Sequence, residues 1–290
     1  MFSKEKNLND WHLSGFGNAP ATLFQSLEST HSLMKARAAA GKILPGTLIV
    51  ADTQTAGRGR HERTWASPAG LNLYFNILIS LDGIPLASAP QITQVAALTF
   101  AEVFRGLQDD ANAQGKGNLS IGKVTVKWPN DILCGKHKFC GILAELVHIP
   151  SEQGSPKPCI SMGVGINVNG SALDYAHLGR AVTTLKDICG ERINREKLLQ
   201  ALIGNLERAI GQFRAFGIRP WVAAWKRMDQ FIGARGTIVV NARCTDDNRE
   251  SGEGSVKKTG TICDMQDDGS LLFKCDDGTT ETVYSADLEI

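Results

Sequence analysis

A basic loop that contains two glycines is the first segment able to do chemistry. Arg58, Arg60 and Arg63 lie within eight residues from Gly57 to Thr64. Glycine lets a backbone approach a ligand closely, and a guanidinium group presents paired N–H donors that suit carboxylate or phosphate oxygens. The composition favours an anion-binding loop, although a solvated basic surface loop would have the same composition.

A second candidate segment surrounds Pro129, where a predicted strand must stop because proline cannot donate to the ladder. Lys127, Asn130 and Asp131 flank the proline, and ligands commonly bind at strand ends. Asp131 could hold a magnesium ion that bridges phosphates, and Lys127 could neutralise a phosphate. An ordinary turn that contains a lysine is the alternative.

Two predicted strands carry glycines next to polar residues. Lys138 precedes the strand at 139–148, which contains Gly141, and Asn167 lies near the end of the strand at 159–168. A missing side chain lets another group approach the sheet. The second strand is not a nucleotide-binding GxGxxG, because its third glycine is absent and no helix follows. Each strand is weak evidence by itself.

The elements that must position these residues follow from hydrophobic period and from capping signals. Ser29 and Asn194 are predicted N-caps, and Pro220 is predicted to open a helix. Helices are predicted at 29–40 and 88–107, and a polar loop at 109–122. Strands are predicted at 47–51, 71–81, 123–128, 139–148 and 159–168, and then at 237–241, 260–265, 270–274 and 280–284.

The short strands after Phe231 are separated by turn residues such as Asp268-Gly269, which is typical of a small β-barrel. A domain boundary near Asp229 is therefore predicted, with a first domain at 1–229 and a barrel at 230–290. The polar segment 244–258 cannot bury apolar surface and is predicted to be a mobile loop.

Overall composition excludes several classes of protein. Lys and Arg number 31 against 30 Asp and Glu, so no net field attracts nucleic acid or an anionic membrane. No signal peptide or membrane span is recognisable. The seven cysteines are odd in number and form no CxxC, which argues against a disulfide framework or a zinc site. A cytoplasmic location is expected.

Five motifs occur in a fixed order: GRGRHERTW, SPAGLNLY, KWPNDI, KFCGILAEL and GVGINVN. Together they resemble the biotin protein ligase family, from about Glu28 to Ile290. The resemblance implies an α+β fold, in which a catalytic domain with a mixed β-sheet and packed helices precedes a small SH3-like β-barrel. Some members add an N-terminal DNA-binding module. Only about 25 residues precede the Glu28 motif, so a repressor function is not expected.

The resemblance also implies roles for individual residues, among which Lys138 and Arg58 would be catalytic. His31 departs from the family, which often has asparagine at this position. The implied biotin-binding residues are Ser29, Thr30, His31, Gln54, Arg58, Gly59, Arg60, Lys138, Gly141 and Leu143. The implied nucleotide-binding residues are Arg58, Arg63, Trp65, Lys127, Asn130, Asp131 and Asn167, with Asp131 also holding Mg²⁺.

The activity implied by the resemblance has two steps. Biotin would be activated with ATP and Mg²⁺ to biotinyl-5'-AMP, and biotin would then pass to a lysine of a biotin carboxyl carrier domain. A monomer and a homodimer are both compatible with the sequence. A lipoate ligase and a non-catalytic biotin-binding protein are the alternatives. The GRGR loop and the barrel favour a biotin ligase over the first, and the retained Lys138 and arginines argue against the second.

Overall fold

The computed structural model describes residues 10–61, 63–151, 154–179, 181–241 and 255–290. One sheet runs in the order β1-β2-β3-β7-β6-β5-β4, and only its β1–β2 pair is parallel, so the sheet is mixed. Its strands are β1 (Ala21–Leu27), β2 (Leu48–Gln54), β3 (Leu73–Ser80), β4 (Val124–Lys127), β5 (Asp131–Cys134), β6 (His137–Ile149) and β7 (Lys157–Ile166).

Helices cover both faces of this sheet. They are α1 (Thr30–Ala39), α2 (Gln91–Ala113), α3 (Leu185–Cys189), α4 (Arg195–Phe216) and α5 (Arg219–Met228). On one face, Met34 and Ala38 of α1 pack against Ile49, Leu78 and Val147 of the sheet. The opposite face carries the larger core, which includes the buried residues of α2, α4 and α5. The α1 face is the one that carries the candidate site.

Local signals placed the helix starts correctly. The Ser29 hydroxyl accepts a hydrogen bond from Ser32 N, and the Asn194 side chain accepts one from Lys197 N, as N-caps do. Pro220 lies in the first turn of α5, as predicted.

The prediction of a loop from residue 109 was wrong, because α2 continues to Ala113. Gln108 and Ala111 are buried and extend the apolar stripe, while Asp109 and Asp110 face water on the outer side. The two aspartates therefore mark the exposed face of a helix rather than its end.

The second sheet is antiparallel, in the order β11-β10-β9-β8-β12. Its strands are β8 (Arg235–Asn241), β9 (Ser255–Met265), β10 (Leu271–Cys275), β11 (Thr280–Val283) and β12 (Asp287–Glu289). The predicted loop 244–258 was wrong at its end, because 255–258 belong to β9 and pair with β8. The rest of that prediction, at 244–254, lies outside the described residues.

Buried hydrogen bonds join the turn before β10 of the second sheet to α2 and to the residue that follows β4 of the first sheet. Trp128 Nε1 donates to Gly269 O at 3.1 Å, and Gln94 Nε2 donates to the same oxygen at 2.8 Å. The predicted α+β class, with a mixed sheet followed by a small β domain, is therefore confirmed. The boundary near Asp229 stays a prediction.

Two exclusions made from composition can be compared with the described part of the chain. None of its helices is long and apolar enough to cross a membrane. Its six cysteines, Cys134, Cys140, Cys159, Cys189, Cys263 and Cys275, are free thiols. Burial raises the pKa of the Cys134, Cys159 and Cys189 thiols to about 11, so these three are inert core residues at neutral pH.

Candidate active site

A cavity opens on the α1 face of the mixed sheet, beneath the basic loop, and gathers all the sequence-predicted site residues except Lys127 and Asn167. The cavity also has six lining residues that were not predicted: Thr64, Ile142, Gly163, Val164, Gly165 and Asp287. The lining residues are Ser29, Thr30, His31, Gln54, Arg58, Gly59, Arg60, Arg63, Thr64, Trp65, Asn130, Asp131, Lys138, Gly141, Ile142, Leu143, Gly163, Val164, Gly165 and Asp287.

The register of β6 and β7 divides this cavity into levels. Gly141 lies opposite Gly165, and Leu143 lies opposite Gly163, on the same face of the sheet. Residues two apart on a strand are roughly 7 Å apart. His31 contacts the Gly163 level, whereas Trp65 and Lys138 contact the Gly141 level. The cavity therefore has a polar end at the Gly163 level and a cationic end at the Gly141 level. The two ends are one step apart along the paired strands β6 and β7.

The polar end begins at the N-terminus of α1. Thr30 donates from both its backbone N and its hydroxyl to Gln54 Oε1, at 2.8 and 3.1 Å. Gln54 Nε2 donates to Ser67 Oγ at 3.1 Å. These bonds fix the orientation of the Gln54 amide, and Ser29 is held as the helix cap beside it. The segment is thus arranged before any ligand binds.

His31 occupies a buried polar network that local sequence did not reveal. Asn76 Nδ2 donates to its Nδ1 at 3.0 Å, and Nε2 lies 3.3 Å from Glu145 Oε1. Because Nδ1 accepts, the ring proton is assigned to Nε2, which faces the carboxylate. The hydrogen bond from His31, together with the ion pair to Lys35, lowers the pKa of Glu145 to about 2. Glu145 is therefore ionised at neutral pH.

Lys138 anchors the cationic end and lies inside β6, not before it as predicted. Its Nζ lies 2.6 Å from Asp131 Oδ1, and 5.7 Å from the centre of the Trp65 ring. Asp131 begins β5, directly after the turn around Pro129 that ends β4. The KWPND turn and the glycine-bearing strand thus bring an opposite pair of charges to one wall of the cavity.

The basic loop is a narrow hairpin over the cavity. Gly59 N donates to Arg63 O at 2.7 Å, and Trp65 N donates to Gly57 O at 2.9 Å. A side chain at Gly57 would place its Cβ 2.8 Å from Ser67 Oγ, so glycine is required there. Arg58 is exposed at the cavity mouth.

Arg60 ties this hairpin to two other parts of the fold. Its Nη1 donates to Asn130 Oδ1 at 3.0 Å, and its Nη2 donates to Ala286 O at 3.2 Å. Asn130 in turn donates to Ile142 O at 2.7 Å. One guanidinium therefore connects the loop with the KWPND turn and with the second sheet.

Asp287 is the acidic partner that the basic loop meets. Its carboxylate lies 3.5 Å from Arg60 Nη1, 3.2 Å from His61 Nε2 and 3.1 Å from Arg63 Nη2. It begins β12, an edge strand of only three residues near the end of the chain. No local pattern in the sequence marked it as part of a site.

The Trp65 ring lies flat on the two glycine-bearing strands. A Cβ at Gly165 would be 2.8 Å from Trp65 Cζ2, and one at Gly141 would be 2.9 Å from Trp65 Cζ3. Trp65 Nε1 is buried and has no hydrogen-bond partner among the described residues. Both glycines are therefore needed to admit the ring.

The two predicted residues outside the main cavity lie close to it. Asn167 lines a smaller adjoining cavity with Trp65 and Lys138, and its Nδ2 donates to Thr183 O at 3.4 Å. Lys127 pairs in register with Asp131, and its Nζ lies 5.9 Å from the Phe231 ring. Burial lowers the pKa of Lys127, with Asp131 opposing the shift. Neither residue contacts the main cavity in this state.

Carboxylates are sparse in the site, which bears on how it could hold a metal. Asp131 and Asp287 both face cations, and the described residues contain no group of three or more His, Cys, Asp or Glu side chains able to hold an ion. A resident metal centre does not fit this donor set. Magnesium that arrives on phosphates needs only one or two protein carboxylates, and Asp131 can supply one.

Comparison with known proteins places the chain in a family. Residues 23–167 match the model of the biotin/lipoate A/B protein ligase family. The bifunctional ligase/repressor BirA of Bacillus subtilis is 33% identical over 246 residues, which cover 84% of this chain and 66% of that protein. The biotin–[acetyl-CoA-carboxylase] ligase of Paracoccus denitrificans is 31% identical over 80% of this chain and 88% of its own length.

Solved structures share the fold. The biotin protein ligase of Aquifex aeolicus in complex with biotin and ATP superposes with a TM-score of 0.67 at 24% identity, over 93% of this chain and 97% of that one. That of Leishmania major in complex with biotinyl-5-AMP gives a TM-score of 0.54 at 21% identity, over 91% and 98%. The family match and the relative from Paracoccus denitrificans show that the chain belongs to the biotin/lipoate A/B protein ligase family.

Proposed function

We propose that this protein is an ATP-dependent biotin protein ligase. Biotin would be activated to biotinyl-5'-AMP and then transferred to a lysine of a biotin carboxyl carrier domain. The observation that carries the proposal is the single cavity in which a preorganised uncharged polar end adjoins a cationic end. The relatives named as biotin ligases, at 28 and 31% identity, support biotin over lipoate as the acid.

In the first step, a biotin carboxylate oxygen forms a bond to the α-phosphorus of ATP. The bond from that phosphorus to the bridging oxygen breaks, and pyrophosphate leaves. Two anions must approach one another, so the site has to offset their repulsion and the charge on the transferring group. Lys138 and the loop arginines would do so, and Mg²⁺ would enter with the ATP as part of the substrate, next to Asp131.

In the second step, the lysine amine of the carrier attacks the acyl carbon of the adenylate. The C–N bond forms, the bond to the phosphate oxygen breaks, AMP leaves, and the amine nitrogen loses a proton. The enzyme supplies no nucleophile, so its task is to hold the mixed anhydride and to exclude water. The Trp65 ring and the hairpin that carries it lie over the strands where this would be required.

The individual roles are proposed on the same grounds. Ser29, Thr30, His31 and Gln54 would bind the polar ureido ring of biotin, with backbone groups of Gly59, Gly141 and Leu143 beside them. Arg58, Arg60 and Lys138 would face the carboxylate. The nucleotide would be bound by Arg58, Arg63, Trp65, Lys127, Asn130, Asp131 and Asn167, of which Lys127 and Asn167 would come closer once the substrates are present.

Pyrophosphate release tests the first step. The purified protein is incubated with ATP and Mg²⁺ and with biotin, lipoate or no acid, and biotin-dependent release is expected. Pyrophosphate release with lipoate but not with biotin would identify a lipoate ligase. Biotin binding without pyrophosphate release would identify a non-catalytic binding protein. Mass spectrometry of a carrier domain from a biotin-dependent carboxylase then tests the second step, with biotin expected on one lysine.

A further inference from the structure

The loop of arginines that faces the cavity is held at its tip by one carboxylate from the second sheet. Asp287 lies within 3.1 to 3.5 Å of one nitrogen on each of Arg60, His61 and Arg63. Its side chain is 13% exposed, whereas that of Arg63 is 60% exposed. A carboxylate withdrawn from water beside two guanidinium groups is a stronger partner than the usual exposed ion pair.

Backbone contacts make the attachment directional. Ala286 O accepts from Arg60 Nη2, so the Arg60 guanidinium meets a carbonyl and a carboxylate from adjacent residues. The same guanidinium donates to Asn130 Oδ1, beside Asp131. Asp287 itself is fixed by pairing with Val239 in β8. The loop tip is therefore positioned relative to the KWPND turn by a residue of the second sheet.

We propose that Asp287 is a positioning residue for ATP, which holds the tip of the basic loop so that Arg63 is already placed for the phosphates. The inference rests on the proposed function, because it concerns the nucleotide of that reaction. Arg60, which would face the biotin carboxylate, keeps its hydrogen bonds to Asn130 Oδ1 and Ala286 O when the Asp287 carboxylate is lost. Loss of Asp287 should therefore affect ATP more strongly than biotin.

The ion pairs of Asp287 with Arg60, His61 and Arg63 also explain why an acidic residue can lie in a site that binds a polyanion. A carboxylate at the phosphates would repel ATP if it faced the ligand alone. Here its negative charge is met by three cationic or ionisable side chains, so the local balance at the loop tip remains favourable to an anion. Without Asp287 the loop arginines would turn toward water. We therefore expect the gain from positioning them to exceed the repulsion between Asp287 and the phosphates.

The test uses the full chain with three substitutions. Asp287→Asn keeps the size of the side chain and removes its charge, and Asp287→Glu keeps the charge. Glu289→Gln is the matched control, because it removes a carboxylate from the same strand whose partner is the exposed Lys257, at 3.3 Å. Initial rates of pyrophosphate release are measured against ATP and, separately, against biotin.

Asp287→Asn is expected to raise KM for ATP roughly tenfold, which corresponds to about 1.4 kcal/mol. KM for biotin should change much less, Asp287→Glu should recover part of the ATP affinity, and Glu289→Gln should match the parent. Equal effects on both KM values, no effect on either, or a fall in KM for ATP would overturn the proposal. The last result would mean that Asp287 competes with phosphates.

A second measurement does not depend on activity. Trypsin cleaves after arginine, and mass spectrometry of brief digests reports cleavage at Arg60 and Arg63 in the chain without substrates. Asp287→Asn should speed cleavage at these two sites several-fold at an unchanged midpoint of thermal unfolding, and Glu289→Gln should not. Unchanged cleavage would overturn the proposal. If Asp287→Asn is cleaved faster than the parent but the parent releases no pyrophosphate in response to biotin, the proposed function alone would be refuted.

Discussion

Replacing Lys138 with methionine is the most direct perturbation of the proposed chemistry. Methionine keeps an unbranched apolar stem beside Trp65 and removes the ammonium group, which lies 2.6 Å from Asp131 on a side chain that is 23% exposed. Removing one preorganised donor from such a site typically lowers kcat by about 10²- to 10³-fold, or about 2.7–4 kcal/mol. A loss of that size is expected in the adenylation step.

Part of this loss could arise because Asp131 is left without its partner and repels the phosphates. The double variant Lys138→Met/Asp131→Asn separates the two contributions. If Lys138 acts only by neutralising Asp131, the double variant should recover most of the activity. If the ammonium group acts on the substrates, as we propose, the double variant should remain at least as impaired as Lys138→Met.

Pyrophosphate exchange at saturating ATP and biotin is the appropriate assay, because it reports adenylation without the carrier protein. Lys136→Met is the control, since Lys136 is an exposed lysine two residues earlier in the chain. Urea unfolding of each variant verifies that the fold is retained. Near-parental exchange by folded Lys138→Met would refute the assignment of Lys138.

The remaining predictions concern stability and the retention of the intermediate. Arg195→Met should lower the free energy of unfolding by about 3 kcal/mol or more in urea denaturation, because Asp52 would lose its buried partner at 2.8 Å; a loss below about 1 kcal/mol would show that water replaces the pair. Glu145→Gln should cost about 1 kcal/mol or less at neutral pH, since the carboxylate is 39% exposed. The lowered pKa of Glu145 means that this cost should shrink as pH falls below the ordinary value of 4.5 toward about 2, and a pH-independent cost would contradict it. Arg58→Gly should release adenylate that biotinylates an added lysine-rich bystander, detected by streptavidin blotting; unchanged labelling while adenylate is still made would exclude Arg58 as the gate.

Elements with strong local signals could be predicted from the sequence. The caps at Ser29 and Asn194 satisfy backbone donors that any helix start leaves free, so their signature is local. The β1 strand was missed because it is an edge strand without a fully buried residue, and its sequence shows little alternation. The β5 and β12 strands are four and three residues long, too short for a period to be recognised.

The same distinction, between local sequence signals and contacts made only in the folded chain, separates the site residues that were predicted from those that were not. Arg58, Asp131 and Lys138 were found because arginines, glycines and charged residues near strand ends suggest anion chemistry before any fold is known. The roles of Ser29, Thr30 and Gln54 came only from the resemblance to the family. Asp287, Asn76 and Glu145 were not found, because each meets its partners only through tertiary packing. Arg60 bonds to a carbonyl 226 positions away, and Ser161 contacts His31 across 130 positions. No window of sequence contains both halves of such contacts.

The same hairpin is held in two physically different ways, and this difference limits how it can open. Its tip is attached by ion pairs to Asp287, which dissolved salt screens. Its base is attached by the Trp65 ring, which lies on Gly141 and Gly165 through van der Waals contact that salt does not screen. Phosphates can therefore bind beside the tip arginines while Asp287 holds them and without lifting the ring from the strands, whereas a ligand that occupies the strands must move the ring first. Exchange of substrates at the phosphate end and shielding at the acyl end can then proceed independently on one short loop, which a reactive acyl-adenylate requires.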